Sequence, residues 1–182
     1  MPRVTHVKSA RKDNPVCSAG EPYYWWKFRY GGKHYSLTPP KASQLTQSAY
    51  YGTVRGLVEQ IDEYNAEEPS DLESLRDEVA SEIRQAGEEC NDSKENMPEG
   101  LQEGDTGQML EERYNECESA ADELEGMDFE FETELDLDDF RDEDIKPEDA
   151  QKEFDDAVKS ETQDWMMEKQ SEMSEFIQAC DI

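Results

Sequence analysis

Residues 23–36 read YYWWKFRYGGKHYS: a β-favouring run, a Gly-Gly break and a short second run, the sequence form of a β-hairpin. Six of the first eight residues are aromatic, and Lys27 and Arg29 interleave with them. A period of two places Tyr24, Trp26, Phe28 and Tyr30 on one face and Tyr23, Trp25, Lys27 and Arg29 on the other. The first face is wholly aromatic; the second is aromatic at one end and cationic at the other. Upstream, Val4 and His6 suggest a further short strand. Downstream, Pro39-Pro40 supplies no ladder donors and closes the module.

Beyond it the apolar period becomes helical. Tyr50, Val54, Leu57, Ile61 and Tyr64 repeat at spacings 4-3-4-3 within a helix read over residues 45–64, with Ser43 as its N-cap. Pro69-Ser70-Asp71 opens a second helix, Ser70 and Glu73 having capping-box spacing, with a seam of Leu72, Leu75, Val79, Ile83, Ala86 and Cys90. A third, opened by Asp105 or Thr106, carries Leu110, Tyr114, Cys117, Ala121 and Leu124. The connection at 91–104, rich in Gly and Pro, joins two seams of similar length and favours an antiparallel helical hairpin.

Residues 128–144 alternate acidic and apolar side chains, with Phe129, Phe131, Leu135, Leu137 and Phe140 on the apolar beat. Repulsion among so many carboxylates favours a disordered acidic linker over an edge strand. Pro147 then starts an amphipathic helix whose Met/Trp/Phe face is either core or a partner surface. The expected fold is mainly α with a small β-hairpin module (α+β). Its parts are a basic aromatic module at 1–40, antiparallel coiled-coil-like helices at 41–126, an acidic linker at 127–146 and a C-terminal helix at 147–182.

Charge divides the chain more sharply than its total of −29 conveys. Residues 1–55 hold nine Lys/Arg against two acidic residues, a net of +7; the remainder holds nine against 45, a net of −36. Segments of opposite sign must attract one another or serve different partners. A mean hydropathy of −1.05 leaves part of the chain without a deep core. No apolar run approaches the roughly 20 residues of a membrane span, and the basic N-terminus lacks the apolar stretch of a secretory signal. The four cysteines, far apart and without CxxC spacing, point to reduced thiols in an intracellular protein.

His6, Cys17 and His34 tempt a metal assignment. A structural zinc wants four ligands, usually in two close pairs, so no metal and no cofactor are expected. Residues 3–48, with their Tyr-Trp-Trp-Lys-Phe run, resemble the N-terminal module of small acidic bacteriophage proteins to which no activity is attached. Residues 96–113, NMPEGLQEGDTGQMLEER, resemble the helix-joining turn of the same proteins. Members with cysteine pairs before the aromatic run resemble zinc-ribbon knuckles. The resemblance implies a degenerate ribbon in which Cys17 stands for one ligand and aromatic packing replaces the metal.

Paired carboxylates carry no information in a chain this acidic, and no phosphate loop or nucleophile–base pair appears, so an enzyme is not expected. The function expected is non-enzymatic: a phage accessory or assembly protein whose acidic helices bind a basic protein partner, as a nucleic-acid mimic would, or form a homo-oligomer. Trp165, Met173, Phe176 and Ile177 are the candidate partner-binding residues. The alternative is nucleic-acid binding by the hairpin through Trp25, Lys27, Arg29 and Lys33, cations meeting phosphates while aromatics stack on bases. The expected location is the host cytoplasm, with virion association as a further option.

Overall fold

Aromatic and β-branched residues at 5–7, 23–27 and 33–36 form the small sheet that the hairpin pattern calls for. The structure, a computed structural model, describes residues 1–141 and 146–180. Positions 142–145 of the expected linker and 181–182 of the expected terminal helix lie outside the described residues. Strands β1 (Thr5–Val7), β2 (Tyr23–Lys27) and β3 (Lys33–Ser36) make an antiparallel sheet in that order. Thr5 lies opposite Trp25, and Trp25 opposite Tyr35; Trp26 faces His34 and Lys27 faces Lys33. Gly31, at φ +151°, takes the turn through backbone space that residues with a Cβ rarely enter.

The chain divides into two units, Met1–Glu59 and Gln60–Ile182. Helix α1 (Ala49–Glu63) carries it from one into the other. The first unit therefore reaches past residue 40, and side-chain hydrogen bonds show why. Ser43 donates to the Glu59 carboxylate through its backbone N–H at 3.0 Å and its hydroxyl at 2.6 Å. Gln47 donates to the carbonyl of Tyr30 at 2.7 Å. Ser43 is thus not the expected N-cap: residues Ser43–Leu45 form a separate 3₁₀ turn, and α1 begins at Ala49.

In the second unit, α2 (Pro69–Glu95) and α4 (Asp105–Glu125) form the antiparallel hairpin, joined through the single turn α3 (Glu99–Gln102). Pairings run in opposite chain directions, as antiparallel helices require: Arg84 meets Asp122 at 2.6 Å and Lys94 meets Glu111 at 2.9 Å. The spacing of the α2 seam places Leu72, Leu75, Val79, Ile83, Ala86 and Cys90 in the core, where all are buried. Cys117, Ala120, Ala121 and Leu124 of α4 are buried as well. Small residues let the two backbones approach closely. A methyl group placed on Gly87 would lie 2.8 Å from the Cβ of Cys117.

The cap of α2 also differs from the Ser70/Glu73 expectation. With Pro69 in the first turn, the Asp71 carboxylate accepts from the N–H of Glu67 at 2.8 Å and of Glu68 at 2.9 Å. These bonds hold the Asp71 pKa below the usual carboxylate range.

Helix α5 (Pro147–Ala179) packs along α2. Gln170 donates to the carbonyls of Ile61 and of Tyr64, while the buried Ser174 hydroxyl donates to Asp62 at 2.6 Å. The Gln170 bonds tie α5 to backbone carbonyls at the end of α1, and the Ser174 bond ties it to a carboxylate there. No helix among the described residues is long and apolar enough to cross a membrane.

Candidate partner-binding groove and basic sheet face

The α5 residues read from the sequence as a partner surface divide into two kinds. Met173 and Ile177 are 0% and 1% exposed, part of the helical core, and so are corrected from binding to packing. Trp165 and Phe176 are half-buried and keep some free surface. Phe176 borders a small groove with Cys180 and residues of α4. There burial, followed by Glu123 and Glu116, pushes the Cys180 thiol pKa up.

Trp165 belongs to a larger site. The irregular segment 127–136 lies along α5, and its alternation serves a helix rather than a sheet. Phe129 is 2% exposed and meets the Trp165 ring edge-on, while Phe131 packs on the same ring with centroids 5.4 Å apart. A 3₁₀ turn at Leu137–Phe140 follows, setting Phe140 edge-on to Phe154 of α5 at 5.7 Å. Apolar anchors thus offset the repulsion that favoured a disordered linker in this part of the chain.

Between segment and helix runs an open groove of about 670 Å³ with Trp165 and Phe131 in its wall. Asp128, Glu130, Glu132 and Glu134 line it from the segment. Glu161, Asp164 and Glu168 line it from α5, where spacings of three and four residues put them on the Trp165 face. Two of these carboxylates hold the local structure. Glu161 accepts from the Thr133 hydroxyl at 2.5 Å, and Asp128 accepts from the N–H of Glu130 at 2.9 Å. None of the seven forms an ion pair with a described cation. By contrast Arg84 is clamped by Glu125 and Asp122, raising its pKa and lowering that of Glu125.

The nucleic-acid candidates lie on the sheet. Trp25 and Lys27 share one face, as alternation required, and the register adds Lys33 opposite Lys27, but Lys33 Nζ sits 4.6 Å from the centroid of the Trp25 ring. A base stacking there must displace the lysine. Arg29 lies beyond β2, where alternation no longer applies, and its guanidinium rests over Tyr30 at 5.4 Å. On the opposite face Trp26 is 4% exposed and stacks on His34, and Tyr24 stacks on His6 at 4.5 Å. The sheet aromatics therefore divide between core and surface.

The three metal candidates are drawn into other contacts. His6 and His34 stack as described, and Asn14 donates from Nδ2 to Cys17 Sγ at 3.1 Å. Among the described residues no three His, Cys, Asp or Glu side chains converge to hold a metal ion. No family model, curated protein or solved structure matches the chain.

Proposed function

We propose that the chain is a non-enzymatic binding protein whose acidic helical unit docks a basic protein partner, occupying a surface that otherwise meets nucleic acid. The observation that carries this reading is the set of seven carboxylates around Trp165, none of them ion-paired with a cation among the described residues. Residues 60–182 hold 44 Asp/Glu against nine Lys/Arg, so the same imbalance extends across the unit. Self-repulsion on that scale costs stability, and a cationic partner relieves it. The likeness of residues 3–48 to bacteriophage proteins supports a role as a phage accessory or assembly protein, acting in the host cytoplasm or on the virion.

Titration of the full chain with core histones tests the reading. The proposal requires a complex at roughly 0.1 M salt, where the Debye length is about 10 Å, that weakens steeply with added salt and displaces duplex DNA from the histones. Absence of a complex at that salt overturns it.

A second reading has its own observation. Lys27 and Lys33 lie directly opposite each other across β2 and β3, a like-charge pairing that costs the sheet stability and favours an anion beside it. Single-stranded DNA binding by the full chain, reduced in Lys27→Ala and Lys33→Ala, supports nucleic-acid recognition by this face; no binding at low salt rejects it.

A further inference from the structure

We infer that the groove beside Trp165 is an arginine-selective site, receiving guanidinium groups from an extended arginine-rich segment of a protein partner. The inference rests on the proposed function and narrows it to one groove and one side chain. The aromatic cluster already receives one arginine from within the chain. Arg76 lies with its guanidinium carbon 5.6 Å from the Phe129 ring centroid, and it donates to the Met127 carbonyl at 2.8 Å. Phe129 in turn meets Trp165 edge-on. One part of the cluster is thus served by a cation over a ring with an oxygen acceptor beside it.

Trp165 and Phe131 repeat those ingredients in the groove wall, with no cation over either ring among the described residues. Their rings are half-buried, and carboxylates from both the segment and α5 border them. A planar guanidinium satisfies both features at once: it stacks on a ring face while its N–H groups bond carboxylates in the ring plane. An ammonium is a strongly hydrated point charge and gains less from the ring. The groove is open along its length and has acidic residues at successive turns of α5, which suits an extended basic segment rather than a single ion.

The test uses the full chain and two peptides of equal length and charge, oligo-arginine and oligo-lysine, at matched salt. The expected result is oligo-arginine binding roughly 2- to 30-fold more tightly, the range that about 0.5–2 kcal/mol of cation–π attraction provides. Trp165→Leu should bring the two affinities together mainly by weakening oligo-arginine. Phe131→Leu, at the less buried edge of the cluster, should narrow the gap without threatening the fold. Asp164→Asn with Glu168→Gln should weaken both peptides. Equal affinities in the wild type, or a preference unaltered by both ring variants, overturn the arginine site while leaving the acidic-docking reading intact. If neither peptide binds, both fall.

Discussion

Phe129 meets Trp165 edge-on, with ring centroids 6.5 Å apart and planes at 84°. This contact joins the most acidic stretch of the chain to α5, beside the groove that Trp165 lines. Phe129→Ala should cost about 3–5 kcal/mol in urea denaturation, the range for truncating a buried phenylalanine. A change near zero would mean that segment 127–136 is not held against the helix.

Close approach of α2 and α4 predicts opposite outcomes for one substitution at two sites. Gly87→Ala sets a methyl 2.8 Å from Cys117 Cβ, so the helices must part, at roughly 1–3 kcal/mol. Gly100 has open space around its added Cβ, and Gly100→Ala should be neutral or stabilising by at most about 1 kcal/mol. Thermal melts of the two variants check this. Equal shifts would contradict the tight seam.

Two carboxylates give the acid limb of stability its direction. Asp71 is held low by the N–H groups of Glu68 and Glu67, and Glu125 by Arg84. A depressed folded pKa means that the native state binds fewer protons than the unfolded chain between the two pKa values. Their contribution is therefore full above the unfolded values, near 4, and is lost as pH falls through the folded ones. Asp71→Asn and Glu125→Gln should each be less stable than wild type at pH 7, with the difference closing in acid. A difference that grows on acidification would reverse the sign.

Much of the architecture is legible in the chain because its helical seams keep their spacing. Leu72 to Cys90 on α2 and Leu110 to Leu124 on α4 mark the faces that are buried, and the Gly-Pro connection between them specifies the antiparallel turn. Helix starts are less legible, since capping groups compete. Glu68 and Asp71 take the capping-box places expected of Ser70 and Glu73 because Pro69 starts the first turn earlier, and Glu59 recruits Ser43 from a site sixteen residues away. The groove is the least legible part. Trp165 stands out in sequence, but its carboxylates do not, because exposed carboxylates recur all along the helical unit. Only the return of residues 128–134 along Glu161, Asp164 and Glu168 separates these from the rest. Met173 and Ile177 carry the same amphipathic signal as Trp165, and burial alone tells core from surface.

The three tryptophans, Trp25 and Trp26 in the sheet and Trp165 in the groove, allow the central claim to be read site by site. Each gives one indole N–H resonance in a ¹⁵N-labelled full-length sample titrated with oligo-arginine. Docking of a basic partner in the acidic groove predicts that the Trp165 signal moves saturably while those of Trp25 and Trp26 stay in place. A Trp165 signal that stays fixed while binding proceeds would contradict it.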